Sequence, residues 1–182
     1  MHGLQKDQDV GLVLKAMAFA AVKHRDQRRK DADASPYINH PIALADVLWH
    51  EGGVRDTAVV AAALLHDTIE DTKTTAAELR RRFGAKIAGI VREVTDDKRL
   101  PKERRKELQI EHAAHISKSA KLVKVADKIC NLRDILESPP KDWLVERQQE
   151  YFEWAKRVID PMRGVNPKLK RRFDQLYRKR PR

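Results

Sequence analysis

Apolar residues recur at helical spacing along most of this chain. Leu12, Val13, Met17, Ala20 and Ala21 predict a helix over residues 10–24. A charged stretch, 25–35, is too polar to pack and reads as a loop. Pro41 suits a first helical turn, so Asn39 or His40 opens a helix that stops at Gly52-Gly53. The run from Ala58 to Leu65 is apolar on every face and predicts a buried helix, with Asp56 as its cap. Thr75 and Glu78 have capping-box spacing, and Gly84 closes the helix they open. An amphipathic segment covers 85–94, the stretch from Thr95 to Pro101 breaks it, and 102–115 reads as a charged surface helix.

Ser117 caps the next helix, over 120–136. Leu122, Val125, Ala126, Ile129, Leu132 and Ile135 form its apolar face, and Lys124, Asp127, Asn131 and Asp134 a polar stripe. Pro139-Pro140 ends it. Asp142 is placed to cap a helix over 143–159, and Asn166-Pro167 starts a last one. No strand-like alternation stands out. The pattern predicts an all-α, compact bundle of roughly eight to ten helices, without repeats, forming one domain over 1–182.

Composition narrows the class. No apolar run reaches the roughly 18–20 residues of a membrane span, and no signal peptide is predicted. A lone cysteine, Cys130, excludes an internal disulfide framework and fits a reducing, cytoplasmic setting. The net charge is +11, of which residues 168–182 supply +7 from eight basic side chains and one acid. That basic tail reads as a solvated, frayed final helix. It also admits a nucleic-acid-binding reading by charge alone. With no zinc-finger spacing or nucleic-acid motif, nucleic acid is not expected as a partner, and neither is a membrane. Nothing in the pattern fixes an oligomeric state.

The chemistry concentrates at His66-Asp67-Thr68-Ile69-Glu70-Asp71, directly after the apolar run. Charge at the end of a core helix is costly unless it is paired or ligates a metal. His66 and Asp67 can offer a nitrogen and a carboxylate oxygen. On a continuous helix, Glu70 and Asp71 lie one turn beyond them and can manage a water. His40 and Asp127 are candidates to complete the ligand set. Taken alone, His40 also reads as a capping or core histidine, and Asp127 as the buried partner of Lys124 or Arg133. The mixed nitrogen and oxygen set admits Mn, Fe, Zn or Co.

The ordered set His40, His66-Asp67, Asp127 resembles the HD-domain metal phosphohydrolases. The likeness extends to residues 37–41, 63–71, 93–98 and 124–134, which resemble the hydrolase domain of the RelA/SpoT alarmone enzymes. Residues 148–155 look like the stand-alone small alarmone hydrolases, including the metazoan type. The resemblance covers roughly 10–160, and the basic end after Arg171 departs from it. It implies one Mn2+ per site, held by His40, His66, Asp67 and Asp127, with Glu70 and Asp71 catalytic. The implied reaction releases the 3′-pyrophosphate of guanosine 3′,5′-bis(diphosphate) (ppGpp) or the pentaphosphate (pppGpp), giving GDP or GTP. NADPH, losing its 2′-phosphate, is the alternative small-molecule substrate. Arg29 and Lys30, before His40, are candidate phosphate ligands, and Asn131 can bond a ribose or phosphate oxygen. Trp143, Arg147 and Tyr151, at intervals of four, are expected on one helix face, offering stacking and a bidentate guanidinium to the nucleotide.

Overall fold

The helix that carries the apolar run, Thr57–Leu65, has no polar face to turn to water, and neighbours cover it on several sides. The computed structural model describes residues 2–182, with side chains from Asp9 onward. The helices are α1 (His2–Lys23), α2 (Asn39–Asp46), α3 (Thr57–Leu65), α4 (Thr68–Asp71), α5 (Ala76–Val94), α6 (Lys102–His112), α7 (Lys118–Glu137), α8 (Val145–Ile159) and α9 (Pro167–Arg178). Among the described residues there is no β-strand, only an isolated bridge between Arg28 and Pro36. α3 packs against α1, α2, α5 and α7, while α7 also takes α8 and α9. One buried cluster runs from Ala16 through α3 and α7 to Leu176.

The expected caps are present. Asp56 accepts from the Ala58 N–H, Thr75 from Glu78, Ser117 from Ala120, and Asn166 from both Lys168 and Leu169. Gly84 breaks α5 at φ 86°, a conformation that a side chain rarely adopts, so it closes one helical segment and the next follows directly. α2 is shorter than its pattern: it gives way to a π-helical turn, Val47–Glu51, before Gly52, and Gly53 takes φ 65°. α6 ends at His112 rather than 115, and none of its residues is buried.

Two expectations are corrected. Asp142 does not cap α8, because Trp143 N–H bonds to Pro140 O in a turn and the helix starts two residues later. Leu144 holds the cap position, and Gln148 Nε2 donates back to Trp143 O (3.1 Å). The basic tail is not a frayed end. α9 buries Leu169, Phe173 and Leu176, Arg172 pairs with Glu51 (2.8 Å), and Asn166 Nδ2 ties it to Gly52 O (2.9 Å). Counting charge hid an amphipathic helix whose apolar stripe is only three residues long.

Candidate metal centre and substrate cavities

α3 stops at Leu65. Thr68 Oγ1 donates to Leu65 O (2.7 Å), and Asp67 sits at φ −97°, ψ 0°, in the sparsely used region between helix and strand. The unbroken helix face expected from His66 to Glu70 is therefore absent. The chain restarts as α4, with Asp71 N–H bonded to Asp67 O (2.8 Å). This break leaves His66 and Asp67 side by side at the end of the core.

His66 Nδ1 lies 2.8 Å from Ala63 O, so that nitrogen carries the proton and Nε2 presents a lone pair in the neutral ring. Nε2 is buried and 2.8 Å from Asp67 Oδ2, without hydrogen-bond alignment. In the neutral ring two lone-pair atoms this close repel, so a proton or a metal cation belongs between them. In a metal-free site, burial pushes the His66 pKa down, but the Asp67 carboxylate outweighs it and raises the value to about 9. Burial likewise raises Asp67, and the His66 charge overrides it and holds the carboxyl well below its usual range. The Tyr37 hydroxyl donates to the same Asp67 oxygen, and burial with the Asp67 charge keeps Tyr37 protonated.

His40 opens α2 and is fully enclosed. Burial lowers its pKa, so the ring is a neutral donor. Its Nε2 is 3.2 Å from Asp127 Oδ1. Donor atoms of His40, His66 and Asp67 all lie within 4.8 Å of one another. Asp127, on α7, adjoins them through His40. Its Oδ1 accepts from Asn131 Nδ2 (2.7 Å) and its Oδ2 pairs with Lys128 Nζ (3.0 Å). Burial opposes ionisation of Asp127, and Lys128 with His40 overcomes it. The pairing with Lys124 or Arg133 is corrected. Lys124 donates to Val94 O instead, and Arg133 lies 4.0 Å from Glu51. A buried imidazole lone pair, a second neutral imidazole and two ionised carboxylates fit a divalent cation.

Glu70 and Asp71 are not equivalent. Burial and the nearby Asp67 charge lift Glu70 to about 7. Its Oε2 accepts from the Asp96 N–H (3.1 Å), and Oε1 is 3.9 Å from the Arg105 guanidinium. Asp71 is already engaged: Oδ2 accepts from Gln27 Nε2 (2.8 Å) and Oδ1 pairs with Lys98.

The metal-site residues line a cavity of about 180 Å³, together with Arg29, Tyr37, Glu70, Asp96 and Asn131. Arg29 also lines an adjoining cavity of about 580 Å³ with Lys30, Trp143 and Tyr151. A further one of about 980 Å³ carries Lys30, Trp143, Arg147 and Tyr151 with α6. Arg29 ion-pairs with Asp134 and approaches Asn131 Oδ1 (3.5 Å), so Asn131 orients both Asp127 and Arg29. Trp143 precedes α8 rather than lying on it, yet the trio still meets. The Arg147 guanidinium sits 4.6 Å over the Trp143 ring, and the Tyr151 ring is 5.7 Å away. Tyr37, Lys98 and Lys128 took no role in the sequence reading, although each lies within a stretch quoted for its resemblance. A lysine amid the apolar α7 pattern was the available signal for Lys128. Arg105 left no signal, because α6 is polar all round.

Residues 16–153 match the HD domain family. The chain belongs to that family. Within it, the chain is 54% identical to the guanosine-3′,5′-bis(diphosphate) 3′-pyrophosphohydrolase MESH1 of Xenopus tropicalis, over 93% of this chain and 94% of that one. It is 53% identical to the human MESH1 over 92% and 94%. A solved HD-domain structure, described as a metazoan ortholog of SpoT that hydrolyzes ppGpp and plays a role in starvation responses, superposes with a TM-score of 0.90. It is 47% identical over 93% of this chain and 95% of that one.

Proposed function

We propose that this HD-domain protein hydrolyses ppGpp and pppGpp at the 3′ position, releasing pyrophosphate and leaving GDP or GTP, with Mn2+ as its ion. The observation that carries the reading is the His40–His66–Asp67 donor cluster in a cavity that Arg29 shares with a larger one, whose lining includes Arg28, Lys30 and Lys98. The activity for which the MESH1 relatives are named supports it. His40, His66, Asp67 and Asp127 would hold the ion. When bound, it supplies positive charge to phosphoryl oxygens and makes a water easier to deprotonate.

The chain's own residues do the rest. Glu70 takes a proton from the attacking water, since its pKa near 7 places it where a general base works at neutral pH. The water oxygen bonds to the phosphorus carried by O3′, the P–O3′ bond breaks, and the proton held by Glu70 is returned to O3′. Asp71, engaged by Gln27 and Lys98, positions α4 rather than exchanging protons. Arg29 and Lys30 neutralise phosphate charge, and Trp143, Arg147 and Tyr151 hold the nucleoside. With no described helix long and apolar enough to cross a membrane and one buried free thiol, a cytoplasmic setting fits.

The test is to incubate purified protein with Mn2+ and ppGpp and to separate the products. GDP and pyrophosphate in equal amounts support the proposal. Inert ppGpp, with NADPH converted to NADH and phosphate, would replace it with the 2′-phosphatase reading.

A further inference from the structure

Two buried polar atoms outside the metal ligands lie one turn apart on α6. Arg105 Nε and Gln109 Oε1 are both shielded from solvent and have no protein partner. Residues four apart share a helix face, and this face looks toward the reaction centre. The Arg105 guanidinium is 3.9 Å from Glu70 Oε1. Gln109 Nε2 donates to Asp96 Oδ2 (2.6 Å), and the Asp96 N–H donates to Glu70. Asp96 and Gln109 line both the metal-site cavity and the large cavity beside α6, and Arg105 lines the large one. At the junction of the two cavities Arg105 and Gln109 thus each keep one polar atom unpaired.

Leaving such groups buried and unpaired costs on the order of 1–3 kcal/mol each, more for a charged one. A protonated phosphate oxygen answers both: its lone pair accepts from Arg105 Nε, and its hydroxyl donates to Gln109 Oε1. The helix is held for this contact. Trp154 Nε1 on α8 donates to Lys106 O (3.1 Å), which ties the middle of α6 to the nucleotide wall.

We infer that Arg105 and Gln109 form the subsite for the departing pyrophosphate, at the mouth between the metal-site cavity and the α6 cavity. The inference rests on the proposed 3′-pyrophosphohydrolase reading, but the subsite is defined by the product's chemistry alone. Arg105 is 24% exposed, so a product it holds has a route to solvent. The nucleoside is held elsewhere, by Trp143, Arg147 and Tyr151.

The experiment is calorimetric titration of inorganic pyrophosphate into the Mn2+-loaded protein, without nucleotide, for the wild type, Arg105→Met and Arg105→Lys. Helical content and Mn2+ affinity are checked on each, and since no residue of α6 is buried, the variants are expected to fold. Loss of one charge-assisted contact should weaken pyrophosphate binding about tenfold or more in Arg105→Met, and Lys should restore part of it. In turnover, pyrophosphate inhibition should weaken by the same factor, with KM for ppGpp changed much less. Pyrophosphate affinity unchanged in folded Arg105→Met overturns the subsite and leaves the substrate reading intact. Wild type that binds pyrophosphate through Arg105 yet leaves ppGpp intact overturns the substrate reading and with it the departing-group role, leaving Arg105 in an anion site only.

Discussion

His66 shows how a single residue is prepared by its backbone. The Ala63 carbonyl accepts from Nδ1–H, so Nε2 faces Asp67, and an arriving ion takes the place of the proton that the Asp67 charge favours there. Changing Asp127 to Ala should remove Mn2+ binding, read by calorimetry, and activity with it; full activity in metal-free buffer would sink the assignment. Glu70→Gln should keep the ion and lose roughly 10²–10⁴-fold in kcat, since an amide cannot take a proton. Glu70 is raised to about 7 by burial and the Asp67 charge. As a base it works only when ionised, so kcat/KM should fall as pH drops through its pKa. A bound dication nearby stabilises the carboxylate, so this limb should lie at or below about pH 7 and disappear in Glu70→Gln. His66, Asp67, Glu70 and Asp127 were legible as chemistry because burial next to apolar runs makes such side chains expensive without a partner.

At the level of elements, α9 and α8 tell opposite stories about pattern reading. α9 looked like a charged tail, but Phe173 and Leu169 are fully buried against the core. Phe173→Ala should cost about 3–5 kcal/mol, and deleting residues 170–182 should lower the melting temperature further. A truncated protein with unchanged melting and turnover would show α9 to be peripheral. In α8 the aromatic and arginine spacing pointed to a nucleotide face, and the trio does meet, although Trp143 comes from the preceding turn. Arg147→Ala should raise KM more than it lowers kcat, since Arg147 lines the α6 cavity and not the metal-site one. Steady-state kinetics decides this, and an unchanged KM would put the nucleoside elsewhere.

Across the whole molecule, the proposed ligands come from three elements that share one core. His40 opens α2, His66-Asp67 ends α3, and Asp127 lies on α7. A cation bound to all three exists only in the folded state, so saturating Mn2+ should raise the melting temperature, by about 2.7 kcal/mol of stability at a hundred times its Kd. A chelator should reverse the shift, and a melt indifferent to Mn2+ would contradict the site. The sequence by itself determined the helical class and most of the caps, and it singled out His40, His66 and Asp67, whose donor atoms the fold brings together. Those depend on local spacing, on single residues such as Asp56, Thr75 and Ser117, and on the cost of polar groups beside apolar runs. Only the tertiary structure decided that Asp127 pairs with Lys128, that Asn131 bonds Asp127 and Gln27 bonds Asp71, and that Arg105 reaches Glu70 from a helix with no buried residue. The physical reason is that a side chain's partner is set by where separate helices cross. That crossing is fixed by the packing of the whole core and leaves no periodic trace in any one segment.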